Sequence, residues 1–167
     1  MAQDSSTKAG LPKRRSPRLR HFDYAPAFAY SITICTQDRV PFFRDERTGR
    51  EVARCLEEHA AQCGYRLVCY CIMAGHIHIL TGPSEGKGVM PLPRFIRQFK
   101  SAVTHHLGRL WLSGGIWQRS FYDHVLRKDE DAEVVARYIL ANPVRKGLAD
   151  TPEAYALSRY YPENLQP

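Results

Sequence analysis

The sequence predicts an α+β fold: a ferredoxin-like β-α-β-β-α-β antiparallel sheet followed by one additional C-terminal helix. Three observations predict it. Strand-like runs with period-two alternation and helical runs with spacings of three and four follow one another in that order. Two strand-like runs, residues 65–73 and 76–81, are separated only by Ala74-Gly75, which makes them a hairpin or a closely related antiparallel pair. The 167 residues, 44% of them apolar, suit one domain with a real core.

Residues 1–20 are polar and basic, and Pro12 and Pro17 block a helix, so they read as a disordered arm. The folded domain is expected over 21–160, with 161–167 as a tail. Residues 28–36 alternate as a first strand, and Asp38-Arg39-Val40-Pro41 reads as a turn. From 48 to 63, Val52, Cys55, Leu56 and His59 recur at helical spacing, and Gly64 is placed to end that helix. Residues 65–73 are apolar on both faces and so predict a central strand. Four of the first seven residues from Gly82 are Gly or Pro, which makes 82–93 a loop. A second helix is expected from about 92 to 110, with Phe95, Phe99, Ala102, Val103, His106 and Leu110 as its apolar stripe. Arg94, Arg97, Lys100 and Arg109 lie off that stripe. Residues 116–127 read as an aromatic-rich fourth strand. Asp129 or Asp131 can cap a third helix, which ends near Ala141 because Pro143 follows. From Asp150 the chain reads as an irregular Pro/Tyr-rich tail, and the two helices of the ferredoxin-like unit are expected on one face of a four-stranded sheet.

Composition narrows the function. No apolar run approaches the roughly 20 residues that span a bilayer, and no secretory signal is visible, so neither a membrane partner nor secretion is expected. Cys35, Cys55, Cys63, Cys69 and Cys71 are odd in number and lack C-x-x-C spacing, so a reduced, cytoplasmic protein is expected. Residues 1–21 hold Lys8, Lys13, Arg14, Arg15, Arg18 and Arg20 against Asp4, which is +5 of the chain's net +7. Such an arm suggests a polyanionic partner, nucleic acid before others.

The chemistry-bearing residues are few. His76 and His78 flank Ile77 on a strand, so both imidazoles project from one face. Such a pair is half of a metal site or a polar claw for phosphate. Tyr138 and Asn142 are four apart on the third helix and share a face. Tyr supplies a phenol nucleophile and Asn an oxygen ligand for a hard cation. Each also has a plain structural reading, Tyr138 as a core aromatic and Asn142 as a helix cap.

Four blocks in one order carry a resemblance. They are Ile34-Cys35-Thr36-Gln37-Asp38-Arg39, Met73-Ala74-Gly75-His76-Ile77-His78, the run from Ile116 through Arg127, and Arg137-Tyr138-Ile139-Leu140-Ala141-Asn142-Pro143-Val144-Arg145-Lys146-Gly147-Leu148. Phe99-Lys100-Ser101 fits as well. Over roughly residues 18–160 the chain resembles the single-tyrosine HUH transposases, in particular the REP-associated tyrosine transposase (IS200-like) branch. It departs where many relatives carry Pro-Asn and this chain has Ala74-Gly75; both histidines remain.

The resemblance implies cleavage and joining of single-stranded DNA through a covalent 5′-phosphotyrosine, with the additional helix as the catalytic one. Tyr138 would be the nucleophile, and His76, His78 and Asn142 would hold a divalent metal, Mg2+ or Mn2+. A single-stranded DNA hairpin is the implied partner, gripped by the arm with Arg14, Arg15 and Arg18 and by the loop 82–93. Arg94, Arg97 and Lys100 are further candidates for lining a DNA groove. Asp123 and His124 would orient the site, with a structural role as their alternative. Tyr122, Trp117 and Phe121 can stack on unpaired bases, although Trp117 and Phe121 read first as core. A cytoplasmic, nucleoid-associated protein is implied, as a monomer or as a homodimer that swaps the third helix. The competing reading is a non-catalytic nucleic-acid-binding module, which should carry its stacking aromatics on the central strands. A metal-dependent hydrolase would want a carboxylate base, and none falls at a matching position.

Overall fold

The computed structural model describes residues 29–86, 88–108, 115–126 and 131–165. The basic arm with Arg14, Arg15 and Arg18, as well as Asp129, lies outside the described residues. The element order is β1 (Ala29–Cys35), α1 (Glu46–Gln62), β2 (Tyr65–Met73), β3 (His76–Pro83), α2 (Leu92–Gly108), β4 (Tyr122–Leu126), α3 (Ala132–Leu140), α4 (Asn142–Arg145) and β5 (Ser158–Tyr160). The five strands form one antiparallel sheet in the order β4-β1-β3-β2-β5. The central strand β3 therefore pairs with β1 on one side and β2 on the other.

Local signals set most boundaries. Asp45 caps α1 by accepting from the Thr48 backbone N–H at 2.9 Å, so the helix starts at Glu46, before residue 48. Gly64 follows it with φ +79°, the left-handed geometry expected of a helix-ending glycine. Asp131 caps α3 through the N–H groups of Glu133 and Val134. The third helix is broken after Leu140: Ala141 carries the bend, and Pro143 opens α4 at its first turn. The fourth strand is shorter than expected. Trp117 forms only an isolated bridge to Thr36, and regular pairing begins at Tyr122.

Period two divides β3 between two environments. Ile77 and Ile79 are fully buried among Tyr30, Ile32, Ile34 and the apolar stripes of α1 and α2. His76, His78 and Leu80 point to the other side. There Val68, Cys69, Cys71, Met73 and Leu80 meet Ala136 and Ile139 of α3. α1 and α2 cover one face, as the ferredoxin-like order predicts, and the additional helix α3 covers part of the opposite one. An amphipathic helix whose stripe is Ala136 and Ile139 must bury it, and the apolar row of β2 is open to it.

The tail is corrected. Ser158–Tyr160 is a strand pairing with the outer edge of β2, Cys69 opposite Tyr160 and Cys71 opposite Ser158. Three residues are too few to show alternation; the free N–H and C=O groups of the β2 edge recruit them. Leu157, just before β5, packs on α1 at Gly49, where a Cβ would fall 2.5 Å from a Leu157 methyl. Tyr161 and Tyr70 both donate to one carboxylate oxygen of Glu57, at 2.8 and 2.7 Å, which fastens the tail to α1. All five cysteines are free and buried. Among the described residues no helix is long and apolar enough to cross a membrane.

Candidate active site

The two imidazoles stand side by side on the face that α3 shares. Their ring centroids are 4.8 Å apart and the planes are nearly perpendicular, at 88°. The cross-strand row through His78 runs Cys71, His78, Thr33, Tyr122, because directly opposite residues share a face. Thr33 Oγ1 lies 2.9 Å from His78 Nδ1, which fixes the ring and leaves Nε2 as the nitrogen available to a ligand. Burial holds the His76 imidazole below its ordinary range, with Arg39 and Lys146 adding to the effect. Burial, the neighbouring His76 and the cations Arg145 and Arg39 push His78 down to about 4. Near neutral pH His78 is therefore uncharged, and a cation arriving there displaces no proton from it.

The approach to the first histidine is tightly built. Arg39 and Asp38 both have positive φ, +56° and +51°. The Arg39 carbonyl presses on Gly75, where a Cβ would lie 2.6 Å from its oxygen. The Thr36 hydroxyl donates to the Gly75 carbonyl at 2.9 Å, and the Phe43 N–H donates to that of Ala74 at 2.9 Å. Gly75 is thus required at this turn because the preceding loop crosses it at backbone contact. The departure from Pro-Asn keeps the turn and leaves both histidines in place.

Tyr138 and Asn142 sit at the end of α3 and the start of α4. The Tyr138 ring is 62% exposed, which removes the core-aromatic reading. Asn142 Nδ2 donates to the carbonyls of Ile139 and Tyr138 at 2.9 and 3.2 Å, so it does close the end of α3. Its Oδ1 points the other way and accepts from Arg145 Nη2 at 2.8 Å. The Arg145 guanidinium lies 4.1 Å from the centroid of the Tyr138 ring. α3 packs over β2, β3 and β5. This seating brings the Tyr138–Asn142–Arg145 group to the face that carries the histidines, and the charge of Arg145 reaches His78.

The donor set suits a divalent cation. Two imidazoles and an amide oxygen with a second lone pair add no charge and leave coordination positions for phosphate oxygens or water. Among the described residues no group of three or more His, Cys, Asp or Glu is arranged to hold a metal.

The other expected residues separate. Lys100 donates to the carbonyls of Gln118 and Ser120, each at 2.9 Å, and Trp117 Nε1 donates back to the Lys100 carbonyl at 3.0 Å. That ties α2 to the segment before β4. Arg94 and Arg97 are exposed on α2, on the far side of the sheet from the histidines. Asp123 is opposite Ile32 and so faces the α1–α2 layer, whereas His124 is opposite Ser31 and faces the histidine side. Phe121 is buried and Trp117 packs on Phe43 and Phe99, both as core. Tyr122 alone of the three aromatics is open, 47% exposed, on the histidine face. Arg39 and Arg145 are the residues that sequence reasoning did not single out. Arg145 is three places beyond Asn142, so extending the Tyr138–Asn142 face by one step would have found it.

The family model described as "Transposase IS200 like" matches residues 25–142. A Haemophilus influenzae protein named as a REP-associated tyrosine transposase is 25% identical over 152 residues, covering 83% of each chain. An uncharacterized protein of the same organism is 26% identical over 164 residues, covering 81% of this chain and 91% of its own. Among solved structures, a REP-associated tyrosine transposase bound to a REP hairpin superposes with a TM-score of 0.65 at 19% identity, over 79% of this chain and 76% of that one. A transposase from Deinococcus radiodurans superposes with a TM-score of 0.51 at 22% identity, over 72% and 92%. The chain belongs to the IS200-like transposase family, whose members are DNA nicking and joining enzymes.

Proposed function

We propose that this chain cuts and rejoins single-stranded, hairpin-associated DNA through a covalent 5′-phosphotyrosine on Tyr138. The observation that carries the reading is the exposed Tyr138 phenol on one short helical segment with Asn142, seated on the sheet face that carries His76 and His78. In the step, Tyr138 Oη forms a bond to phosphorus and the bond from phosphorus to the 3′ oxygen breaks. The phenol proton passes to solvent, and the departing 3′ oxygen takes one up. The phosphotyrosine stores the energy of the cleaved linkage, so attack by a 3′-OH reverses the step without a nucleotide cofactor.

His76, His78 and Asn142 would hold Mg2+ or Mn2+, whose chemistry is to polarise the phosphate and offset its developing charge. Thr33 keeps the His78 ring in the orientation this needs. The uncovered half of the same face offers the DNA a path, since Ser31 and Thr33 are half-buried and Tyr122 and His124 exposed. Tyr122 would stack on an unpaired base there. The aromatics of the central strands, Tyr30, Tyr65 and Tyr70, are buried toward α1 and α2, which counts against a binding-only module. The hairpin is proposed because the REP-associated relative was solved bound to one. The arm 1–20 and the loop 82–93 would grip it, in the cytoplasm, on nucleoid DNA. The packing of α3 on β2 and β3 of its own chain supports a site completed within one chain.

The test incubates purified protein with single-stranded hairpin oligonucleotides and Mn2+ and looks for an SDS-stable protein–DNA adduct. Wild type forms it, EDTA prevents it, and Tyr138→Phe lacks it while still binding the hairpin. An adduct that persists in Tyr138→Phe overturns the assignment of the nucleophile.

A further inference from the structure

Arg145 stands where the parts of the site meet. Its guanidinium covers the Tyr138 ring at 4.1 Å and donates to Asn142 Oδ1 at 2.8 Å. The other charged groups acting on the histidines, Arg39 and Lys146, are cations as well. Among the described residues no carboxylate lies within ion-pair distance of Arg145. A guanidinium has five donors in a fixed fork, matched to two oxygens of a phosphate. Here it rests on an aromatic face and a neutral amide oxygen, partners it can leave more readily than a carboxylate.

We propose that Arg145 is the residue that binds the scissile phosphate: it rests on Tyr138 and Asn142 in the free protein and turns its fork onto the non-bridging phosphate oxygens when DNA arrives. This rests on Tyr138 as the nucleophile. The move does two things at once. It releases the amide oxygen of Asn142 for a ligand's role, and it places a positive charge where the pentacovalent phosphorus gathers negative charge. Arg39 makes a useful contrast. Its charge also bears on both histidines, and no contact with Tyr138 or Asn142 is described for it. Arg39 would therefore attract DNA without touching the reacting group.

The experiment measures single-turnover adduct formation against oligonucleotide concentration for wild type and the variants Arg145→Ala, Arg145→Gln, Arg145→Lys and Arg39→Ala. Hairpin affinity in EDTA and melting temperature are measured beside it. Arg145→Ala is expected to slow the saturated rate at least about a hundredfold. Its EDTA affinity should fall less than about tenfold, and its melting temperature should stay unchanged. Arg145→Lys restores part of the rate. Arg145→Gln keeps a donor for Asn142 Oδ1 but no charge, and stays slow. Arg39→Ala raises the concentration needed. A saturated rate in Arg145→Gln equal to wild type shows that Arg145 only positions Asn142 and overturns the proposal. So does an Arg145→Ala that loses affinity alone. If wild type forms no adduct, or Tyr138→Phe keeps it, the nucleophile assignment has failed instead, and the two failures are told apart.

Discussion

The two faces of the sheet do different work, and β3 serves both with alternate residues. Ile77 and Ile79 look into a closed apolar layer under α1 and α2. His76 and His78 look toward a face only partly covered by α3, with Thr33, Cys71 and cations around them. One layer supplies rigidity by exclusion of water, while the other supplies exposed chemistry on that rigid floor. The difference teaches that this site derives its precision from the opposite side of its own strand. Neither imidazole could hold its direction if Ile77 and Ile79 were loose.

The comparison can be broken or sharpened by experiment. The largest effect expected is Tyr138→Phe, which removes the nucleophile of the open face. Covalent DNA capture should drop by more than about a thousandfold, with hairpin affinity and melting temperature near wild type. On the closed face, Ile77→Ala should cost about 2–5 kcal/mol of stability, read by urea unfolding. A loss below about 1 kcal/mol would show that the layer relaxes and is less rigid than argued. Next to it in the chain, His76→Ala should lower metal-dependent cleavage roughly a hundredfold and leave unfolding unchanged. A wild type equally active in EDTA would break the metal reading.

A smaller effect concerns pH. His78 is held down to about 4 in the folded, metal-free protein, against 6.5 for a free imidazole. Between those values the unfolded chain binds a proton that the native one refuses, so stability falls as pH falls. His78→Asn should flatten that fall in EDTA, seen as a melting temperature less sensitive to acid. The smallest expectation is for Arg94→Ala and Arg97→Ala. On the far side of the sheet, each should change cleavage by less than about twofold; a larger loss would extend the DNA path around the molecule.

Much of this was legible in the sequence, for identifiable reasons. The hairpin at Ala74-Gly75, the facing of His76 and His78, the caps at Asp131 and Gly64, and the sharing of a face by Tyr138 and Asn142 all follow from local periodicity and turn chemistry. What escaped depends on contacts distant in sequence. β5 exists because an edge of β2 needs partners, which nothing in Ser158-Arg159-Tyr160 announces. Lys100 looked like any exposed helix cation until two carbonyls from the segment before β4 met it. The side of the sheet taken by α3 also had no local signal, because Ala136 and Ile139 fit any apolar row.

The glycine in α1 has a consequence for how the chain is made. Gly49 weakens its helix by up to about 1 kcal/mol relative to alanine, and the methyls of Leu157 fill the space a side chain would have taken. The first helix thus completes its packing with a residue more than a hundred positions later. During synthesis that partner arrives after β1 to β4 have been made. An early helix left incomplete in this way stays adjustable while β1 to β4 pair, and it is locked only when Leu157 comes home.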